Sequence, residues 1–247
     1  MEQAAKIGLS VLVFFFLMAC KKSEERRCFK GHGEETVREI QLDSVRYWHL
    51  GPRMKYRIIQ DTSRKILVKG GENMVGLISA EQNADSIKIT SGNRCHFLRD
   101  NERKVEVEIH YPYFGKFYIE PSDSVIFEET IVADTLMIEM REGGGVLTLD
   151  VDAVYMKMVV SIGTSDFHLS GHAQLGDVKI QEKGFGNALD FTADQYSVYQ
   201  NSRVDLPVNL EGANATVLID GTGDVKYTGT PVQVVRKGPG SGQLIQM

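Results

Sequence analysis

Gly163-Thr164-Ser165-Asp166-Phe167-His168-Leu169-Ser170-Gly171 returns later in the chain as Gly221-Thr222-Gly223-Asp224-Val225-Lys226-Tyr227-Thr228-Gly229. Both glycines at the ends, the threonine and the aspartate are identical, and the apolar places are kept. The Asp-apolar core stands twice more between them, at Asp190-Phe191 and Asp205-Leu206, with spacings that average about 19 residues. A period of that size suits a solenoid or β-helix coil, in which no rung buries its apolar face alone and each stacks on its neighbours. An antiparallel sandwich with recurrent turns is the alternative reading.

Outward from the repeat, the chain reads as strand after strand from Val37 onward. Lys104-Val105-Glu106-Val107-Glu108-Ile109 alternates strictly, as do Ser86 to Thr90, Thr135 to Glu139, Val146 to Val151 and Asp177 to Gln181. Period-2 alternation puts the apolar side chains on one face of a strand. Turn chemistry separates the runs, at Lys69-Gly70-Gly71, Glu142-Gly143-Gly144-Gly145, Gly184-Phe185-Gly186-Asn187 and Asp220-Gly221-Thr222-Gly223. One helical turn is predicted near Glu72 to Ala80, where Met74, Leu77 and Ile78 share a face. The fold class is all-β.

The N-terminus gives a location. Lys6 precedes an apolar run, Ile7 to Met18, that ends in Leu17-Met18-Ala19-Cys20. This is the layout of a secretory signal, and the cysteine after the cut resembles the lipobox of bacterial lipoproteins. The run is shorter than the roughly 20 apolar residues that span a bilayer, so an uncleaved anchor is the weaker reading. Residues 1–19 are read as signal peptide, Cys20 as the lipidation site and 20–36 as a tether. Residues 37–247 are read as one β domain, sandwich-like in its N-terminal part, with the repeat half at about 146–247. Glu24-Glu25 behind the cysteine resembles the export tag of surface lipoproteins, or is a plain hydrated tether.

Composition narrows the function classes. Hydrophobic residues make up 42% of the chain, enough for a packed core. A formal net charge of −5 without a basic stripe argues against nucleic acid as a partner. With Cys20 lipidated, Cys28 and Cys95 remain, and in an oxidising compartment they are expected to form a disulfide. Closing a loop of about 67 residues would add roughly 4 kcal/mol in the chain-entropy picture. The rival is a metal site with His32 and His96, although no cysteine pair has zinc-finger spacing.

Two stretches carry a family resemblance. Arg53-Met54-Lys55-Tyr56-Arg57-Ile58-Ile59-Gln60-Asp61 with Ile66-Leu67-Val68-Lys69-Gly70-Gly71-Glu72-Asn73 is one. Leu218-Ile219-Asp220-Gly221-Thr222-Gly223-Asp224-Val225-Lys226-Tyr227-Thr228-Gly229-Thr230-Pro231 is the other, and Gly240-Ser241-Gly242 also fits. From Val37 to Leu244 the chain resembles the putative auto-transporter adhesin, head-GIN domain family, with Thr222 replacing the usual serine of the closing element. Tyr111 to Glu142 is bulkier than the family's glycine-rich norm. The resemblance implies a right-handed β-helix-like fold in secreted or lipid-anchored proteins, chiefly of Bacteroidetes and often oligomeric. It brings no catalytic residues, and no cofactor is expected.

Candidate chemistry is sparse. Asp150 and Asp152 share a strand face at a spacing that a glycosidase carboxylate pair could use, though a solvated face, as for Glu106 with Glu108, is the favoured reading. Asp166 and Asp224 follow Gly-Thr-x, where aspartate accepts hydrogen bonds from turn amides. His168 and His172 have metal-ligand spacing only on a helix, and this segment reads as strand, so no metal is expected. There is no nucleophile elbow, phosphate loop or His-Glu-x-x-His. Aromatics are the better candidates: Tyr47-Trp48-His49, and Tyr111-Pro112-Tyr113-Phe114 with Phe117-Tyr118. Trp48, Tyr111, Tyr113 and Phe114 are the predicted binding residues, although a place in the core or at a subunit interface is the favoured reading for Trp48. Pro112 is expected to keep its segment off a central ladder position.

These readings predict a non-catalytic lipoprotein on the outer membrane, anchored by its lipid and facing the cell surface. Its expected partners are a glycan or extracellular protein and further copies of itself, with avidity adding up weak contacts. The rivals are a polysaccharide-acting enzyme built on Asp150 and Asp152, and a periplasm-facing envelope or signalling scaffold.

Overall fold

A computed structural model describes residues 31–93 and 104–247. The expectations for the signal segment, Glu24-Glu25, Cys20, the Cys28–Cys95 bridge and His96 lie outside the described residues.

The alternating segments become strands that stack in parallel, one rung on the next. Three long ones, β11 (Val146–Val160), β12 (Asp166–Glu182) and β13 (Asn187–Ser202), each contribute a whole rung. Leu147 pairs with Phe167, and Met158 with Val178, an advance of 20 residues per rung. Beyond β13 the rung divides. Its first half is continued by β14 (Leu206–Asn209), β16 (Val225–Thr228) and β18 (Leu244–Gln246). Its second half is continued by β15 (Asn214–Ile219) and β17 (Gln233–Lys237), at 19 residues per rung. The spacing read from the repeat is thus the rise of a solenoid. Parallel pairing settles the choice against a plain sandwich.

On the other side of β11 the same two stacks continue. β8 (Lys116–Ile119) and β2 (Tyr47–Leu50) extend the second, joined through β10 (Ile131–Met140). β9 (Val125–Phe127) and β3 (Lys55–Gln60) extend the first. The first part of the chain departs from the solenoid by pairing antiparallel. β4 (Lys65–Gly71) lies between β1 (Glu35–Gln41) and β7 (Glu106–Tyr111), and β5 (Ile78–Asn83) folds back on β6 (Ser86–Ser91). These strands lengthen the two stacks and cap that end, since β7 and β6 join β3 and β2 in parallel. The predicted helical turn is shorter than expected. α1 covers only Glu72–Val75, because Ile78 is buried as the first residue of β5.

Register makes the core a set of columns. Ile87, Trp48, Phe117, Ile138, Met158, Val178, Val198 and Val217 succeed one another across strands, and all are buried. Where each rung bends, Ala133, Ala153, Ala173 and Ala193 stand in register. An inside corner leaves little room: a Cβ added at Gly176 would lie 2.8 Å from that of Ala193.

Two details of the repeat need correction. Phe191 pairs with Gly171, so Asp190-Phe191 is not an in-phase copy of Asp166-Phe167. The next rung places Gly186 there instead, against the Phe167 ring. Asp224 serves the next rung, not an amide of its own turn. Its Oδ1 accepts from the backbone N–H of Gln243 at 2.8 Å, and Asp205 Oδ1 accepts from that of Asp224 at 2.9 Å. Each carboxylate therefore ties one rung to the next, 19 residues on.

On the outer face of β3, β4 and β7, Glu106 and Glu108 belong to a charge network rather than a solvated row. Glu108 is only 7% exposed and accepts from Lys69 Nζ at 2.6 Å. His110 sits between two carboxylates, Nε2 2.9 Å from Glu108 and Nδ1 2.6 Å from Asp61. Burial works to raise the Glu108 carboxyl, but hydrogen bonds from Lys69 and His110 hold it below the usual range. Asp61 is likewise held low, burial being outweighed by hydrogen bonds from His110 and Ser63. A depressed folded-state pKa gives stability that is present above the ordinary carboxylate pKa of about 4 and lost as pH falls through the folded values. Lys69→Met is therefore expected to cost roughly 2–3 kcal/mol at pH 7, where a buried charge loses its partner. At pH 3 the penalty should shrink, which urea titrations at both pH values would read. An equal loss at the two would mean the Lys69 contact is not electrostatic.

Candidate binding groove

Alternation in β2 turns Trp48 and Leu50 inward and leaves Tyr47 and His49 outward. β8 does the same with Phe117 and Ile119 inside, Lys116 and Tyr118 outside. Parallel pairing then builds two outer rows. Ser86, Tyr47, Lys116 and Met137 form one, and Lys88, His49, Tyr118 and Glu139 the other. Neighbours in a row are about 4.8 Å apart, the spacing of paired strands.

The segment between β7 and β8 forms the wall of a groove. Pro112 ends the β7 ladder because it has no N–H to donate. Past it, Tyr113 points outward at 74% exposed, while Phe114 turns back into the core. Gly115 brings the chain close to Arg46, whose carbonyl accepts from the Lys116 N–H at 3.1 Å. The resulting cavity of about 640 Å³ is lined by Arg46, Tyr47, Tyr113, Lys116, Asp134 and Met137. A second, of about 470 Å³, is lined by Tyr47, His49, Glu81, Lys88, Lys116 and Tyr118. Sharing Tyr47 and Lys116, the two make one groove across the strands. His49 Nε2 lies 2.9 Å from Glu120 Oε1, and its ring meets Tyr118 edge-on at 4.7 Å.

Of the four aromatic residues predicted to bind, the structure places three in the core. Trp48 is 1% exposed, stacked on Phe117 at 5.9 Å and met edge-on by Tyr111 and Phe114. Tyr111 and Phe114 are buried too, with Phe114 at the floor of the first cavity and Trp48 at that of the second. For Trp48 and Tyr111 the cause is the side of the strand on which each falls; Phe114 lies in the segment between β7 and β8. Tyr111 shapes the groove indirectly: its hydroxyl accepts from the Val45 N–H at 2.6 Å and donates to the Asp43 carbonyl at 3.3 Å, fixing the loop that leads into Tyr47. Tyr113 is exposed. Tyr47 is 43% exposed, and its signal in the sequence is one step of alternation from a buried tryptophan.

The other candidates stay apart. Asp150 and Asp152 share the outer face of β11, with Asp150 Oδ2 accepting from Ser170 Oγ at 2.7 Å. His168 and His172 are four positions apart on β12, about 13 Å along an extended strand. His172 Nδ1 lies 3.1 Å from Thr192 Oγ1 and His168 Nε2 4.0 Å from Asp166. Among the described residues no three His, Cys, Asp or Glu side chains gather in a way that could hold a metal ion.

Three solved structures share this fold along nearly their whole length. A putative adhesin from Bacteroides fragilis NCTC 9343 superposes with a TM-score of 0.76 at 19% identity, covering 87% of this chain and 97% of that one. A putative adhesin from Parabacteroides distasonis ATCC 8503 gives 0.65 at 15%, covering 88% and 98%. A protein from the same strain described as a putative lipid binding protein gives 0.64 at 16%, covering 88% and 98%. No curated protein matches the chain in sequence. Residues 49–231 match the family described as putative auto-transporter adhesin, head GIN domain. With that match spanning most of the solenoid, the chain belongs to the head GIN domain family of putative auto-transporter adhesins, adhesion-like proteins of the cell surface or envelope.

Proposed function

We propose that this protein is a non-catalytic binding module, held on the outer membrane by lipid on Cys20 and using the Tyr47–Tyr113 groove to hold a glycan or protein ligand. The observation that supports the reading is the groove itself: two exposed tyrosines beside a cavity of about 640 Å³, on a rigid stack of strands. Exposed tyrosine gives large contact area at small entropic cost. A Cys28–Cys95 bridge would fasten the tether to the domain, and several copies would turn weak contacts into avidity. Asp150 is tied to its neighbouring rung by the Ser170 hydroxyl at 2.7 Å, which suits a structural role on the strand face.

Two measurements test this. An external protease too large to cross the outer membrane should remove the protein from intact cells while a periplasmic control survives. Tyr113→Ala should weaken binding to any glycan or matrix protein found in a screen by about tenfold, the scale of one lost aromatic anchor. Its melting temperature should stay unchanged, because the ring is solvent-exposed. Protection from the protease would turn the reading towards a periplasmic scaffold.

A further inference from the structure

Many of the outward cations on this solenoid have carboxylate partners, though not all: Lys183 and Arg203 are exposed without one among the described residues. Lys69 meets Glu108, Arg57 meets Glu128, Lys104 meets Asp123, Lys226 meets Asp205, and Lys157 and Lys179 both meet Asp177. The groove brings three cations without such a partner together. The side chains of Arg46, Lys88 and Lys116 line it, are exposed, and have no ion pair or hydrogen bond among the described residues. Lys88 stands directly across from Glu81 in the β5–β6 register, and even that pair does not close. Asp134 lines the groove without reaching a cation. Lys116, in register between Tyr47 and Met137 and shared by both cavities, puts an unpaired positive charge where a ligand would cross.

From this we infer that the groove takes an acidic polysaccharide, one whose sugar rings lie on Tyr47 and Tyr113 while its carboxylates or sulfates meet Arg46, Lys116 and Lys88. The inference rests on the reading of the groove as a binding site. Tyrosine faces suit the apolar faces of sugar rings, and a charge-assisted hydrogen bond from Arg or Lys to an oxyanion is the stronger kind. The chain as a whole is acidic at −5, so non-specific attraction to polyanions is weak and the local cations decide.

The test uses the full-length protein against a panel of uronic, sulfated and sialylated glycans, the methyl-esterified form of each uronic polymer, and neutral glucans. At least one acidic member should bind, more weakly as salt rises, and its methyl ester should bind about tenfold less or worse. Lys116→Met and Arg46→Gln should each lower that affinity by a similar factor without moving the melting temperature, the loss expected for one charge-assisted contact. Equal binding of acid and ester, no acidic ligand in the panel, or indifference to both substitutions would overturn the inference. A neutral glycan or protein ligand lost in Tyr113→Ala would then leave the binding role standing. A groove whose substitutions change the binding of nothing would end both.

Discussion

Gly171→Ala is expected to cost the domain about 2–5 kcal/mol, the sum of two separable effects. Gly171 has φ near +101°, a region that side chains with a Cβ avoid, at a cost of about 1–2 kcal/mol. The added Cβ would also stand 2.0 Å from the Val151 carbonyl oxygen and 2.8 Å from its nitrogen. Those atoms are backbone of the preceding rung, held in register with Gly171, so relief requires the rungs to part. Overpacking of that sort adds roughly 1–3 kcal/mol. Gly212→Ala isolates the first effect. Gly212 has φ near +69°, but a Cβ there would meet nothing within 4 Å. Urea denaturation should rank the two variants well apart, with about 2–4 °C of melting temperature per kcal/mol in a chain of this size. Equal losses would show that the rung contact is not the constraint at Gly171.

Trp48→Ala should cost about 3–5 kcal/mol, the range for deleting a large buried aromatic. The ring stacks on Phe117 and is met edge-on by Tyr111 and Phe114, the last of which also packs on Phe127. Its removal opens a void where β2, β8 and the Pro112 segment meet. Trp48→Phe keeps most of the packing and removes an indole N–H that is buried without a partner. The desolvation relieved offsets lost volume, so a change within about 1 kcal/mol is expected. Ligand affinity should follow the opposite order. Tyr113→Ala weakens binding and leaves the melt alone, whereas Trp48→Phe leaves both. If Trp48→Ala instead kept its denaturation midpoint and lost its ligand, the ring would be a binding anchor after all.

The sequence carried more of the solenoid than its repeat alone displays. Ala133, Ala153, Ala173 and Ala193 recur every 20 residues, a spacing legible in the chain and kept by the register of four successive strands. Charge patterning was less readable. Glu106 and Glu108 alternate like a solvated row, yet Lys69 from β4 and His110 close over Glu108. No local pattern specifies that β4 would lie beside β7. The aspartates told a similar story: Asp205 and Asp224 look like turn residues, but their acceptors serve amides 19 positions on.

What the sequence by itself determined is the all-β class, the rung period and the places where the chain turns. These follow from alternation, glycine spacing and the proline at 112, all properties of neighbouring residues. Tertiary structure decided which side of each strand is inside. Period 2 separates Tyr47 from Trp48 and Tyr111 from Pro112, but both faces here carry large aromatic rings, so hydrophobicity does not name the inner one. Stacking does, because Trp48 falls in the column of Ile87 and Phe117 and Tyr47 in that of Ser86 and Lys116. The groove and its unpaired cations are products of that register, which residues far apart in the chain set together.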